Sequence, residues 1–172
     1  MRRTAVLLIV LGAIGVTSIA QENCIRLRLD LISFCIPEGW TLKDDGTSKG
    51  KMAIAAASDD FAPNVGIRVE DINVPLDVLG QYLAEHISEM LKDSATDVRL
   101  LERKEFKALN NQQGLKWTFY SKTKGRELRT TQYLFSGQGN AKVFITFTAL
   151  ESQSPALDPI FDRSAKTLQV GN

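Results

Sequence analysis

The chain has 172 residues, with 21 Lys+Arg against 20 Asp+Glu and a formal net charge of +1. So even a balance gives no global electrostatic case for nucleic acid. One histidine and two cysteines offer no paired ligand spacing for a zinc site.

The first twenty residues carry an export pattern. Arg2 and Arg3 form a positive start, "AVLLIVLGAIGV" an apolar stretch of secretory length, and Ser18 and Ala20 the small residues before a cut. Residues 1–20 are thus read as a signal peptide cleaved after Ala20, which leaves Gln21 as the new N-terminus and places the protein in the periplasm or outside the cell. An uncleaved N-terminal anchor is the alternative, since the apolar run is just short of a spanning helix. Cys24 follows "QEN" and lacks the apolar and small residues that a lipidation cysteine needs before it. Residues 21–172 are expected to form a single domain, and a chain of about 150 residues buries about two thirds of its unfolded surface. After the signal segment no apolar run is long enough to span a bilayer, so an integral membrane protein is not expected after cleavage.

"IRLRLDLISFCI" (25–36) alternates and then turns wholly apolar, which reads as a strand. Pro37 removes a backbone donor and ends it. Glu38–Gly39 makes a turn, and Trp40 folds back as a large core or rim residue. Phe34 and Ile36 share one face of this strand, with Cys35 on the other. Export permits a disulfide between Cys24 and Cys35. Geometry opposes it: along one continuous strand the two face opposite sides. A reversal at Leu29–Asp30 would be needed, and that pair is not turn-forming chemistry. Cys24 is near a mobile new terminus that could fold back, so the pairing stays open.

"KDDGTSKGK" (43–51) is a polar turn, "MAIAAA" (52–57) a short strand, and "SDDFAPN" (58–64) a loop. "VGIRVEDINV" (65–74) alternates again, with Val65, Ile67 and Val69 on one side. Leu76, Leu79, Tyr82, Leu83, Ile87, Met90 and Leu91 then fall at helical spacing behind Pro75. This helix should end near Asp93–Ser94. From residue 97 to 150, hairpin signals at Asn110–Gly114, Lys124–Gly125 and Gly137–Asn140 separate four alternating segments, a four-stranded antiparallel meander. Asp158 is placed to cap a last helix starting at Pro159, with Leu157, Ile160, Phe161, Ala165 and Leu168 as its apolar stripe. The fold class is α+β: an antiparallel sheet of six to seven strands, closing in the meander, sandwiched by two main helices.

With "CIPEGW", "LDVLGQYLAEHISEMLK", "NNQQGLKWTF", "KVFITFTA" and "FDRSAKTLQ" in this order, the chain resembles the PsbP-like superfamily, and within it the bacterial DcrB-type envelope proteins, over residues 30 to 170. The resemblance implies an antiparallel sheet between helices. It also implies a non-catalytic role, as an accessory subunit, partner binder or chaperone, although a shared fold does not transfer a role.

No residue pattern names a reaction. His86 has no sequence-marked partner and reads as a partly exposed helix residue. Cys35 sits in an apolar segment, unlike an activated thiolate. Asp44–Asp45–Gly46 and Asp59–Asp60 do not have the spacing of a calcium loop, and no glycine-rich loop opens a helix to cradle phosphate. No catalytic residue, metal or cofactor is assigned. The strongest surface feature is basic: Lys122, Lys124, Arg126 and Arg129 cluster about one hairpin tip, with "RKEFK" (103–107) on the preceding strand. Such a tip suits a protein partner or an anionic envelope surface; alternatively the charge keeps a hairpin soluble and blocks edge pairing. Two functions follow. One is an exported, non-enzymatic envelope protein acting as a partner-binding, accessory or chaperone-like module. The other is a small secreted hydrolase-like enzyme with an unrecognised carboxylate site, which a pocket of converging carboxylates with perturbed pKa would favour.

Overall fold

The computed structural model describes residues 24–43, 50–57 and 61–171. The expected signal segment (1–20), Asp44–Asp45–Gly46 and Asp59–Asp60 lie outside the described residues. In chain order the strands are β1 (Arg26–Leu29), β2 (Ile32–Cys35), β3 (Thr41–Lys43), β4 (Gly50–Ile54) and β5 (Asn64–Asp71). Helix α1 (Leu76–Leu91) precedes β6 (Thr96–Lys107), β7 (Gln113–Thr123), β8 (Arg126–Ser136) and β9 (Ala141–Leu150). Helix α2 (Ser154–Lys166) and a two-residue β10 (Gln169–Val170) complete the described chain.

The segment expected as one strand over 25–36 is a hairpin. Leu29 lies opposite Ile32, and Arg26 opposite Cys35. Asp30 makes the reversal in a left-handed conformation, φ 51°, which aspartate tolerates better than most side chains. The pattern held a sign of this. Leu27 and Leu29 are buried, Leu31 is exposed, and burial resumes at Ile32 and Phe34. The inward set thus slips by one residue across the turn, which a continuous strand cannot do.

The order β3-β4-β5-β9-β8-β7-β6 makes a seven-stranded sheet, and β1-β2-β10 a three-stranded one. Among the described residues, neighbouring strands in both sheets pair antiparallel. Tyr133, Leu134 and Phe135 on β8 are all fully buried, as a strand covered on both faces requires. Tyr133 and Phe135 join a core with Phe147, Phe34, Trp40 and Phe161, beneath the small sheet and α2. Leu134 points the other way and joins Trp117, Phe119 and Phe144 under Leu79 and Ile87 of α1. The large sheet is therefore sandwiched: α1 on one face, α2 and the small sheet on the other. The Phe147 and Phe161 rings stack at 4.5 Å, and Trp40 meets both edge-on at 6.5 and 6.1 Å.

Two local features fix the helices. Gly80 lets α1 lie close on β7, because a Cβ there would come within 2.3 Å of Leu115 Cδ1. Helix α2 corrects the expected start at Pro159: it begins at Ser154, with Pro155 in the first turn and Pro159 inside. Proline in a helix removes one backbone hydrogen bond. The burial of Phe161, Ser164 and Ala165 and the ion pairs described below hold the helix through it. Among the described residues no helix is long and apolar enough to cross a membrane.

Candidate functional site

The β7–β8 turn has Lys124 and Gly125 both left-handed, at φ 49° and 79°. Two such residues match the twist of the flanking strands. Lys122, Lys124 and Arg126 are exposed here. Lys122 lies opposite Glu127, and Thr123 opposite Arg126. Successive pairs face opposite sides of the sheet, so Lys122 and Arg126 emerge on different faces, and Glu127 tempers the charge beside Lys122. Arg129 stands apart from this tip. Its side chain is only 24% exposed, and its guanidinium pairs with Glu151 at 3.4 Å and Asp158 at 3.1 Å. On β6, Phe106 is buried in the core, and Lys104 is bonded to Glu102 at 2.8 Å, which also lifts its pKa.

Arg129 belongs to a polar seam between α2 and the sheet. Asp158 and Asp162 are one helical turn apart and face the same way. Lys116 of β7, only 5% exposed, reaches Asp162 at 2.7 Å and Glu102 at 3.9 Å. The Tyr133 hydroxyl donates to the same Asp162 oxygen. Burial, and then that hydrogen bond, push the Tyr133 phenol far above its ordinary value. Each carboxylate that converges in this seam is thus engaged through at least one oxygen by a cation or the phenol, while Glu151 Oε2 and Asp158 Oδ1 are buried without a hydrogen-bond partner among the described residues. No sequence signal marked it beyond the four-residue spacing of Asp158 and Asp162.

His86 is exposed on α1. Its Nδ1 lies 2.8 Å from the Tyr82 carbonyl, and its ring stacks on Tyr82 at 4.3 Å. Among the described residues no cluster of His, Cys, Asp and Glu could hold a metal ion.

Cys24 and Cys35 are joined by a disulfide, with Cα atoms 5.5 Å apart. The β1–β2 reversal brings them together, and the Ile36 amide donates to the Ile25 carbonyl beside them at 2.9 Å. Helix α2 is fastened to the same strand. The Cys35 amide donates to Thr167 Oγ1 at 2.7 Å, and Ser164 Oγ donates to the Cys35 carbonyl at 2.5 Å. Between them opens a cleft of about 630 Å³, walled by Ile25, Ile36, Pro37, Trp40 and Ile160, with Arg163 and Glu38 also on its lining. The "CIPEGW" stretch thus forms one side of a cavity. A second cleft of about 570 Å³ lies by the Asp30 turn and is lined by Glu70, Asp71, Gln138 and Asn140. Neither cleft is lined by the seam carboxylates.

No family model matches the chain, and no curated protein matches it in sequence. Solved structures do. Cyanobacterial PsbP (CyanoP) from Synechocystis sp. PCC 6803 superposes with a TM-score of 0.60 at 15% identity, covering 93% of this chain and 98% of that one. The fold is PsbP-like. The same PsbP-like fold matches the Saccharomyces cerevisiae Ran-binding protein Mog1p with a TM-score of 0.62 at 11% identity, over 86% of this chain and 95% of that one. It also matches LpqN, involved in cell envelope biogenesis of Mycobacterium tuberculosis, with a TM-score of 0.58 at 10% identity, over 89% and 88%. At such identities the likeness is one of fold alone.

Proposed function

We propose that the chain is an exported, non-enzymatic PsbP-like module that docks an acidic protein partner in the envelope, in an accessory or chaperone-like role and akin to DcrB-type proteins. In this reading residues 1–20 are removed as a signal peptide, and residues 21–172 work as one domain in the periplasm or outside the cell. The observation that carries the reading is the engagement of the converging carboxylates. Glu102, Glu151, Asp158 and Asp162 hold Lys104, Lys116, Arg129 and Tyr133 between helix and sheet, which is structural work. The fold adds support, because Mog1p is a Ran-binding protein and LpqN is involved in cell envelope biogenesis.

The docking surface in this proposal is the β7–β8 tip, reduced to Lys122, Lys124 and Arg126, with Arg129 as a strut beneath it. Capture from envelope extract on the tagged mature chain tests the proposal. An acidic protein retained by the native tip and lost from a Lys122→Gln, Lys124→Gln, Arg126→Gln variant supports it. Retention only on anionic vesicles would move the role to a membrane surface. Hydrolytic turnover abolished by Asp162→Asn in a still-folded protein would favour the carboxylate enzyme instead.

A further inference from the structure

We infer that the cleft between β2 and α2 binds an anionic amphiphile of the fatty-acid class, its tail against Ile36, Pro37, Trp40 and Ile160 and its carboxylate at Arg163. The inference stands on this cleft alone and does not require the hairpin tip to dock anything.

Size and lining come first. A cavity of about 630 Å³ falls in the range of small-molecule sites, roughly 300–1,000 Å³. Its lining is mixed, with Ile25, Ile36, Pro37, Trp40 and Ile160 as the apolar part, and two of its polar side chains are already engaged. Ser164 Oγ donates to the Cys35 carbonyl, and Thr167 Oγ1 accepts the Cys35 amide and donates to the Ser164 carbonyl. They have little left to offer a polar ligand, so an apolar tail suits this wall.

Charge gives the head group. Arg163 is exposed on the lining and takes part in none of the ion pairs among the described residues. Arg26 adjoins the same wall. Its guanidinium reaches Cys35 Sγ at 3.6 Å and the Thr167 carbonyl at 3.3 Å, and among the described residues no carboxylate forms an ion pair with it. Burial, with Arg28 beside it, holds the Arg26 guanidinium below its ordinary value. Among the described residues Glu38 is the one carboxylate on the lining and Arg163 the one guanidinium, with Arg26 adding a second positive charge behind the Cys35–Thr167 wall. A carboxylate at Arg163 would be met by a charge-assisted fork. A cationic head would not.

Titration calorimetry on the purified, disulfide-intact chain tests this with three probes: laurate below its micelle concentration, dodecanol, and anionic phospholipid vesicles. Laurate should bind saturably at one site, and dodecanol, with the same tail and no charge, roughly tenfold more weakly. Arg163→Gln should weaken laurate by a similar factor and leave dodecanol unchanged, whereas Arg163→Lys should restore much of the loss. Ile160→Trp, which fills the cleft, should weaken both. Laurate should also shift Trp40 emission, since that ring lines the cleft, while Trp117 lies on the far face of the sheet. Equal affinity for laurate and dodecanol, indifference to Arg163→Gln, or binding to vesicles only would each overturn the inference.

Discussion

The Tyr133 hydroxyl and the Lys116 ammonium share one oxygen of Asp162, at 2.5 and 2.7 Å. This contact ties α2 to two strands of the large sheet, and Lys116 enters it almost wholly buried. Removing the carboxylate would leave that cation without its closest partner in a desolvated place. Breaking a buried pair costs roughly 3–5 kcal/mol. Asp162 itself is about one third exposed, so Asp162→Ala should cost less, about 2–3 kcal/mol after solvent screening. Urea unfolding checks it, and Lys116→Met in the Asp162→Ala background should recover part of the loss. An unchanged midpoint for Asp162→Ala would mean the seam does not hold α2.

Alkaline stability should report the same contact. The folded Tyr133 phenol keeps its proton to a higher pH than the unfolded one. Above the ordinary tyrosine value, near pH 10, the unfolded chain ionises while the folded chain does not. Stability from this group is therefore fully present below that pH and is lost above it, at about 1.4 kcal/mol per pH unit. Tyr133→Phe should flatten the fall between roughly pH 10 and 11.5. Melting curves of the two proteins that stay parallel through that range would contradict it.

The Cys24–Cys35 bond closes a short loop around the β1–β2 hairpin. A loop of this length constrains the unfolded chain by about 3 kcal/mol on the chain-entropy account. A reducing agent, or Cys24→Ser with Cys35→Ser, should therefore lower the melting temperature clearly. The loss should be felt at α2 as well, because Cys35 holds Ser164 and Thr167. Hydrogen exchange at Thr167 and Leu168, whose amides donate to the Ser164 and Ala165 carbonyls of α2, reads that effect, and unaltered exchange after reduction would confine the bond's role to the hairpin.

The hairpin tip should be dispensable for folding. Lys122, Lys124 and Arg126 are exposed and form none of the ion pairs among the described residues. Changing all three to Gln should move stability by no more than about 0.5 kcal/mol. Arg129→Gln should behave otherwise, destabilising by about 1–2 kcal/mol, since it leaves Glu151 and Asp158 without their half-buried partner. Thermal unfolding of the two variants separates a free tip from a structural strut.

The layers of this fold were legible because their signals are local. Lys124–Gly125 and the other meander turns are short-range chemistry, and Leu115, Trp117 and Phe119 alternate as a covered face must. Trp40's size and place after a turn mark a core or rim residue, and it lies among Phe147 and Phe161. The misreadings arose where distant contacts decide. Asp30 reverses the chain although its neighbours carry no turn chemistry, since the phase slip at Leu31 matters only once an inner face exists. Pro159 looked like a helix start because the Asp158 contact to Arg129 is invisible along the chain. Lys116 and Asp162 are 46 residues apart, and nothing in an alternating strand distinguishes a buried lysine from a solvated one. The cleft beside the disulfide was hidden for the same reason.

The central claim, docking of an acidic partner through a basic tip, meets its most direct test in one salt-dependent capture. The tagged mature chain is exposed to envelope extract at about 0.1 M and about 1 M salt, where the screening length falls from about 10 to about 3 Å. Bound proteins are identified by mass spectrometry, with the Lys122→Gln, Lys124→Gln, Arg126→Gln variant alongside. The account predicts an acidic protein held at low salt, released at high salt and depleted on the variant. A partner held equally at both salts and on both proteins would contradict it and place docking elsewhere on the surface.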